Sequence, residues 1–457
     1  MVNRFHEEMP DSSLTGKGTC FALYSLSPSK MWSAVKRQGA PFWLLCVYLI
    51  FEYVRPQTIW PALDVAPFAM MSLLGAAVAL VIAPRDSGGT KSFATVLMVI
   101  FQVVILISSV QAYQPSESYK WFSLFFSWLV IYYLIVQIIN TRVKFFLFMI
   151  LYFLVNLKMA QHGFISWLAN GFGFSSWGVS CAPGWFQNSG ECGTQMAMIF
   201  PMWIYFIFSL GKYWPKNVRL LMWALPVMAL GTVVATGSRG ALLALVVASS
   251  FMVVKSQYRI RAIILLTLIG GVVFLVTPPE FKERFNEAGE DRTSQTRLMY
   301  WGHGIEILKE YPVLGVGYRN WIPYYSDHWP EDSPFQGVEL PHNIFLEIGT
   351  ELGWAGLVMY AILIVFTFVC NYRSRRAALI VDDRFLFYMA HGLDAALVAF
   401  LVSGQFVSVA YYPFFWINLA FSVSLRASVE RVLKGRAMAV SSDAMHEGRT
   451  NNYMRDR

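Results

Sequence analysis

Long apolar blocks are the feature that most constrains how this chain can fold. Residues 93–110 and 241–254 contain no charged side chain at all. A helix of a soluble protein buries one face and shows its apolar residues as a stripe, whereas a helix that crosses a bilayer needs ~20 consecutive apolar residues. Only 14% of the chain is charged, against about 25% in soluble proteins. The sequence therefore predicts an all-α membrane protein, because a spanning segment must satisfy its own backbone hydrogen bonds.

Twelve apolar segments are predicted to form a polytopic bundle of transmembrane helices. The first carries Glu52 and the fifth carries Lys144 and Lys158, so charge interrupts these two most. The segments cover residues 41–54, 65–83, 92–112, 121–139, 143–160, 193–211, 218–236, 239–254, 260–276, 342–370, 386–402 and 405–427.

Basic residues indicate the orientation of the bundle. If the amino terminus is cytoplasmic, every predicted inner loop holds two or more Lys or Arg residues, and most outer loops hold one. This asymmetry follows the positive-inside rule and explains the net charge of +8 without a nucleic-acid partner. We expect residues 1–40 to be a cytoplasmic segment without a cleavable signal peptide. Residues 41–427 are predicted to form the membrane domain, and residues 428–457 a disordered cytoplasmic tail.

Two predicted outer loops, 161–192 and 277–341, are too long to be simple connections. Both are rich in Trp, Tyr, Gly and Pro, so we expect them to be ordered. Residues 296–309 are predicted to form an amphipathic helix within the second loop. Cys181 and Cys192 share the first loop, where an oxidising compartment would allow a disulfide between them.

The first candidate site is Thr236-Gly237-Ser238-Arg239-Gly240, directly before an apolar helix. The predicted orientation points the amino terminus of this helix outward, where free N–H groups and the positive end of the dipole attract anions such as phosphate. The glycines permit close approach of the backbone, and Arg239 supplies a bidentate guanidinium. The plainer alternative is an interfacial arginine that snorkels to the membrane surface.

Two more candidates lie downstream on the same predicted face. Pro341-His342-Asn343 opens the tenth apolar segment, and a helix amino terminus disfavours an imidazolium. We therefore expect His342 to be neutral and able to act as a general base; a capping or packing histidine is the alternative. Arg297 lies on the predicted loop helix, where an ordinary solvated arginine is the alternative.

The remaining signals favour structure over chemistry. His391 and Asp394 form an i, i+3 pair in the eleventh segment; such residues occur in transporters, but a local pair near the cytoplasmic end is the simpler interpretation. The pattern Gly349-Thr350-Glu351-Leu352-Gly353 is typical of close helix packing. The sequence contains no Cys/His metal cluster, Walker loop or hydrolase nucleophile motif, so no metal or cofactor is predicted.

As a set, these motifs resemble the O-antigen ligase and polymerase superfamily. The resemblance is carried by Thr-Gly-Ser-Arg-Gly at 236–240, Arg297 with Trp301, Pro312 with Gly315 and Gly317, His342-Asn343 with Leu346-Glu347, and Glu351-Leu352-Gly353 with Gly356. Their order, and the long outer loop between the ninth and tenth segments, make the combination more specific than its parts. Residues 52–57, Glu-Tyr-Val-Arg-Pro-Gln, resemble the opening of ligase-type members associated with exopolysaccharide clusters.

The resemblance implies a metal-independent, inverting glycosyltransferase at the periplasmic face of a bacterial inner membrane, with both termini cytoplasmic. The donor would be a glycan on undecaprenyl pyrophosphate, and the acceptor a sugar hydroxyl of the lipid A core or of another glycan. No cofactor is implied, because the donor is already activated. Arg239 and Arg297 would bind the pyrophosphate, and His342 would deprotonate the acceptor. The predicted substrate-binding set also includes Ser238, Asn343 and Trp301.

Several alternatives stay open at this point. A polymerase of the same superfamily would join lipid-linked repeat units of O antigen or exopolysaccharide. A third member type transfers glycan to protein hydroxyls, often with additional soluble sequence. A transporter or flippase would show mid-membrane charges and inverted repeats; only His391 and Asp394 fit, and no repeat is visible. Residues 161–192 match no superfamily motif, which leaves the acceptor open.

Overall fold

The computed structural model describes residues 23–83, 89–172, 178–181, 185–276, 279, 289–332 and 337–455, with side chains described up to residue 438. Within these ranges the protein is all-α and contains no strand. Seven of the described helices are long and apolar enough to cross a membrane. The protein is therefore a polytopic membrane protein, as predicted.

The bounds of the helices follow the chain order. The first seven are α1 (Pro28–Lys36), α2 (Ala40–Tyr53), α3 (Pro56–Ile59), α4 (Phe68–Ile82), α5 (Phe93–Val110), α6 (Pro115–Ile138) and α7 (Arg142–Ala169). The next five are α8 (Ser189–Leu210), α9 (Lys216–Met222), α10 (Ala224–Ala235), α11 (Arg239–Lys255) and α12 (Arg259–Val276). The last five are α13 (Arg292–Glu310), α14 (Trp321–His328), α15 (Ile344–Ile380), α16 (Arg384–Ser403) and α17 (Pro413–Arg455). Short 3-10 turns cover Pro61–Leu63, Gly211–Tyr213 and Pro330–Asp332.

Each of the twelve predicted segments contains a helix, but several of the predicted boundaries differ from the structure, two of them beside the candidate site. α7 continues to Ala169, so the first outer loop begins as helix. Residues 404–412, predicted as the start of the twelfth segment, form an irregular connection before α17. This irregular backbone is tolerated because the protein buries it and supplies its hydrogen-bond partners. The Ile344 N–H, for example, donates to the Gly404 carbonyl at 2.8 Å.

The carboxy-terminal tail also differs from its prediction. The backbone of α17 is helical to Arg455, where disorder was predicted for residues 428–457. An ion pair between Arg426 and Glu430, 2.7 Å apart, supports the helix at its exit from the apolar part. Opposite charges at i and i+4 stabilise helices in this way.

α15 is two helices joined at Gly353 rather than the single passage predicted for 342–370. Gly353 has φ 61° and ψ −161°, a conformation open to glycine but rarely to other residues. The ring centroids of Phe345 and Tyr360 lie 6.3 Å apart, although a straight helix between them would extend ~22 Å. The chain therefore folds back at Gly353. The Trp354 N–H donates to the Pro312 carbonyl at 2.7 Å, which satisfies a donor that the break leaves free.

The intramembrane pair that raised the transporter alternative is a local structural element. Asp394 pairs with Arg375 and accepts a hydrogen bond from the Asn371 side chain at 2.9 Å. His391 does not pair with Asp394; its ring stacks on Tyr205 with centroids 5.6 Å apart. These contacts bind α15, α16 and α8 together, because a buried charge is stable only when it is paired.

The outer loops are tied to the bundle at several points. α13 and α14 form a small core of their own around the buried rings of Tyr300, Trp321 and Tyr325. In the first loop, Cys181 and Cys192 are joined in a disulfide, with their Cα atoms 5.3 Å apart. These contacts hold both loops beside the helix ends that carry the candidate residues.

Candidate functional site

Arg239 begins α11 and is held in place by the start of α13. Ser238 caps α11 by accepting a hydrogen bond from the Ala241 N–H at 3.3 Å. The Nη2 atom of Arg239 lies 2.9 Å from Asp291 Oδ2 and 3.3 Å from Ser294 Oγ. Burial acts to raise the pKa of Asp291, but hydrogen bonds from Ser294 and Arg239 lower it to about 2. An ionised carboxylate therefore positions Arg239 at neutral pH.

Arg297 lies on α13, in the electrostatic field of Arg239. Burial, and then the like charge of Arg239, lower the pKa of Arg297, while Asp291 and Glu339 act in the opposite direction. Its Nε atom is buried and has no hydrogen-bond partner among the described residues. Two guanidiniums in one region suit an anion with several oxygens, because each can donate two parallel hydrogen bonds.

Glu339 and His342 form a pair at the end of the second outer loop. His342 Nε2 lies 3.3 Å from Glu339 Oε2. This hydrogen bond lowers the pKa of Glu339, with the charge of Arg297 acting in the same direction and burial against it. Because an ionised carboxylate can only accept, Nε2 carries the hydrogen and Nδ1 keeps its lone pair. The imidazole is thus oriented as a base whose positive form would be stabilised by Glu339.

The structure brings the three predicted catalytic residues into one region through these contacts. Arg239 acts electrostatically on Arg297, and Arg297 acts on Glu339, which binds His342. The three residues are far apart in the sequence, since they belong to α11, α13 and the segment that leads into α15. The fold therefore places a cationic patch beside a candidate base.

The backbone at His342 is tightly constrained. Its φ is 52°, in the left-handed region that histidine enters more readily than most residues. The His342 N–H donates to Ser408 Oγ at 2.8 Å, and Trp301 Nε1 donates to the Pro341 carbonyl at 2.9 Å. α13 and the 404–412 segment therefore fix the position of the His342 backbone, from which the imidazole extends.

The other predicted binding residues are engaged as supports. Asn343 caps α15 by accepting hydrogen bonds from the N–H groups of Phe345 and Leu346, and its amide donates to Gln405 Oε1 at 3.2 Å. Ser238 caps α11 in the same way. In this structure these side chains hold the helices that carry His342 and Arg239.

Sequence reasoning missed the acidic members of the site. Glu339 lies three residues before His342, and Asp291 is the cap of α13, accepting a hydrogen bond from the Ser294 N–H at 3.1 Å. An acidic residue before a predicted helix is a usable cap signal. No sequence signal pointed to the pairing of Asp291 with Arg239, because they are far apart in the chain.

A second buried charge cluster lies behind the kink of α15. Arg319 lies over the rings of Tyr411 and Trp121, 5.0 and 5.4 Å from their centroids. The backbone N–H of Arg319 donates to Glu351 Oε2 at 2.9 Å. The backbone N–H of Ala410 donates to Glu347 Oε2 at 3.1 Å. Both carboxylates are fully buried. This cluster locks the outer loop and the 404–412 segment onto α15, a role the packing pattern at 349–353 did not predict.

An apolar groove of about 450 Å³ opens between α11, α15 and α16. One end reaches the candidate site, because Leu243 follows Arg239 by one turn and Phe345 follows His342 by three residues. Phe406 closes this end and packs so tightly on Gly240 that a Cβ there would lie 2.7 Å from it. The groove is lined by Leu243, Phe345, Ile364, Leu401, Val402 and Phe406.

Metal-ligating residues are dispersed in the part of the chain that the structure describes. No group of three or more His, Cys, Asp or Glu side chains is placed there to hold a metal ion.

Comparison with known proteins finds similarity to one family of membrane proteins. Residues 224–361 match the family model described as O-antigen ligase. An O-antigen ligase of Pseudomonas aeruginosa is 27% identical over 229 residues, which cover 47% of this chain and 53% of that protein. The exopolysaccharide production protein ExoQ of Rhizobium meliloti is 34% identical over 86 residues, 18% of this chain and 20% of that protein. These matches support a relationship of the chain to the O-antigen ligase superfamily.

The match covers the part of this chain that carries Arg239, Arg297 and His342. Residues 30–208 match a second family model, described as a family of unknown function. The chain spans about half the length of the Pseudomonas relative and a fifth of the Rhizobium one. The resemblance drawn from the motifs is therefore confirmed at the level of the superfamily.

Proposed function

We propose that this protein is a membrane glycan ligase. It moves a saccharide from a polyprenyl pyrophosphate to a hydroxyl of an acceptor saccharide, such as the lipid A core, at the periplasmic face of the inner membrane. It does so without a metal and with inversion at the anomeric carbon. The observation that carries this proposal is the pair of neighbouring guanidiniums, Arg239 and Arg297, at the end of an apolar groove.

The guanidinium pair supports a diphosphate as the leaving group. The like charge of Arg239 contributes to the lowered pKa of Arg297, so a bound dianion would relieve that repulsion. The buried Nε of Arg297 has no described partner, and leaving such a donor unpaired is costly. An anion with oxygens on two phosphorus atoms can satisfy both guanidiniums at once.

The groove supports a lipid carrier for that diphosphate. Its lining side chains are apolar apart from Gln405, and burial of each CH₂ of a polyprenyl chain is worth ~0.8 kcal/mol. A lipid in the groove would place its polar head near Arg239, which lies one turn before Leu243. A soluble sugar nucleotide would gain nothing from such a surface.

The chemistry needs one base and one stabilised leaving group. Nδ1 of His342 accepts the proton of the acceptor hydroxyl as its oxygen attacks the anomeric carbon from the face opposite the pyrophosphate. The bond between the anomeric carbon and the pyrophosphate oxygen breaks, and polyprenyl pyrophosphate leaves with the electron pair. Arg239 and Arg297 stabilise its charge, and Glu339 stabilises the imidazolium. The anomeric configuration is therefore inverted in a single displacement.

A reconstituted transfer assay tests the proposal. The full chain in proteoliposomes receives an undecaprenyl-pyrophosphate-linked oligosaccharide and a lipopolysaccharide-core acceptor, with EDTA present. We expect transfer with inversion, and Arg297→Ala should lower the rate about 10²–10³-fold, the typical loss when one oxyanion donor is removed.

The matched control is Arg376→Ala, an exposed arginine at the far end of α15, which should leave the rate within about twofold. Full activity of Arg297→Ala at normal expression would contradict the role of the guanidinium pair. The product separates the two superfamily activities: a single transfer to the core supports a ligase, whereas a ladder of repeats on the polyprenyl carrier would show a polymerase.

A further inference from the structure

The 404–412 segment joins the candidate site to a second cluster of aromatic side chains. Gln405 and Phe406 line the apolar groove. Ser408 accepts the hydrogen bond from the His342 N–H. Tyr412, at the other end of the segment, belongs to an aromatic cluster in the first outer loop. The segment therefore contacts three features in turn: the apolar groove, the candidate base and the aromatic cluster.

This cluster, which we call the Trp185 platform, consists of Trp128, Trp185, Tyr412 and Glu52. The ring centroid of Trp185 lies 5.0 Å from that of Tyr412 and 5.5 Å from that of Trp128. The Trp185 indole N–H donates to the Glu52 carboxylate. Within the platform Trp128 is buried, and the other three side chains are partly exposed. Trp185 and Tyr412 pack against the main core, and their exposed parts form an aromatic surface beside a carboxylate.

The chemistry of the platform matches a saccharide. The face of an aromatic ring carries partial negative charge and attracts the C–H groups of a pyranose face. A carboxylate accepts hydrogen bonds from sugar hydroxyls. A lipid chain would have no use for Glu52, and an anionic group would be repelled by it.

Unpaired polar atoms lie in the same stretch of chain as Glu52. Arg55 Nε and Gln57 Oε1 are buried and have no hydrogen-bond partner among the described residues. Arg55 has a φ of 49°, so its backbone is held in a conformation that is unfavourable for arginine. Glu52 and Arg55 both act electrostatically on Tyr48, so all three lie in one region at the end of α2. A ligand with several hydroxyls would supply the missing partners.

The platform lies within reach of the candidate base. Ser408 binds the backbone of His342, and Tyr412 follows Ser408 by four residues, which span at most ~14 Å even when extended. A turn in which the Tyr412 N–H donates to the Val409 carbonyl at 3.1 Å shortens that distance. A short oligosaccharide on the platform would therefore be long enough to reach the imidazole.

We propose that the Trp185 platform is the binding site for the acceptor saccharide. The proposal rests on the proposed function, since it assigns the second substrate of that reaction. Donor lipid and acceptor glycan then approach His342 from the two flanks of the 404–412 segment. Trp185 binds the sugar face, and Glu52 orients the indole and accepts a sugar hydroxyl.

Binding without donor provides the direct test. The full chain in nanodiscs is titrated with a water-soluble oligosaccharide released from lipopolysaccharide core, and saturation-transfer NMR detects sugar protons that contact aromatic rings. We expect Trp185→Ala to weaken Kd about tenfold, as expected for loss of a central tryptophan contact. Trp185→Phe should retain most of the affinity, because it keeps an aromatic face. Trp60→Ala, which removes an exposed tryptophan of the same outer region, should leave Kd unchanged.

The outcomes separate this proposal from the proposed function. Unchanged Kd in Trp185→Ala, or no binding of the probe to wild type, would overturn the platform, and so would equal weakening by Trp60→Ala. Arg297→Ala should bind the probe as wild type does while it loses transfer. If wild type binds the probe through Trp185 yet transfers nothing, the platform stands and the ligase proposal fails. If transfer depends on Arg297 but Trp185→Ala keeps the acceptor KM, the platform alone is wrong.

Discussion

The two sides of the membrane bundle treat charge differently. On the side predicted to face the cytoplasm, Arg375 pairs with Asp394, and Arg142 pairs with Asp383 at 2.6 Å. The two carboxylates are 4% and 1% exposed. Each of these buried positive charges therefore has a buried negative partner, as the low dielectric of the interior demands.

The candidate site, on the predicted outer side, has no such buried pairs, although Arg319 behind it does lie beside the buried Glu347 and Glu351. Arg239 and Arg297 are neighbours, and the carboxylates near them, Asp291 and Glu339, are 22% and 45% exposed. Arg297 forms no ion pair with any residue that the structure describes. Matched, buried pairs therefore hold the helices together, whereas two neighbouring guanidiniums with partly exposed carboxylates around them remain able to bind an anion.

The largest effect on activity should come from the imidazole, which takes no part in the buried pairing. His342→Asn removes the base but keeps a residue that tolerates the left-handed backbone. We expect transfer to fall about 10²–10⁴-fold, the usual worth of a general base, with thermal unfolding unchanged within a few degrees. Transfer is measured in proteoliposomes and unfolding by intrinsic fluorescence. A variant that keeps its rate would remove the proton-transfer role from His342.

The opposite outcome is expected on the side predicted to face the cytoplasm. Asp394→Ala leaves Arg375 buried without its carboxylate, and loss of one partner of a buried pair costs about 3–5 kcal/mol. Asp291→Ala is the matched outer variant; it removes a more exposed ion-pair partner and the cap of α13, and should cost about 0.5–2 kcal/mol. The free energies of unfolding are compared in the same detergent. Equal losses of unfolding free energy in the two variants would contradict the distinction between structural and functional charges.

The sequence predicted the outer site better than it predicted the backbone that holds it. Apolar length located the helices, and motif order pointed to Arg239, Arg297 and His342. The break at Gly353 was not predicted, because it depends on the backbone of residues 312–316 packing against it from another part of the chain. Hydropathy also could not separate α17 from the irregular 404–412 segment, since both are apolar.

The acidic partners were missed for a related reason. Glu339 lies in a loop without periodicity, and its value to His342 depends on the left-handed turn between them. Glu347 and Glu351 have helical spacing, yet their burial beside Arg319 requires the outer loop to fold over α15. Contacts between distant segments do not change the local pattern of apolar and polar residues. The helices could therefore be predicted from the sequence, and the charge network could not.

Glu339 lies between the two classes, because it is half-exposed yet binds the candidate base. Its pKa is lowered, so it is a carboxylate throughout the range from about pH 5 to 8. The sign follows directly: its pairing with His342 is complete above its ordinary pKa and is lost only as the pH falls through the lowered value. Titration of Glu339 therefore does not set the acid limb of the pH–rate profile in this range. Glu339→Gln removes the charge that favours the imidazolium, so we expect this limb to move to lower pH.

The same substitution should lower the rate at neutral pH about tenfold, because one hydrogen bond to a developing charge is weakened rather than lost. Glu331→Gln, an exposed acidic residue of the same outer loop, is the matched control and should change neither quantity. An acid limb that stays in place or moves to higher pH would show that Glu339 does not act on the imidazole. Glu339 would then be a structural residue, like the buried carboxylates that pair with Arg375 and Arg142.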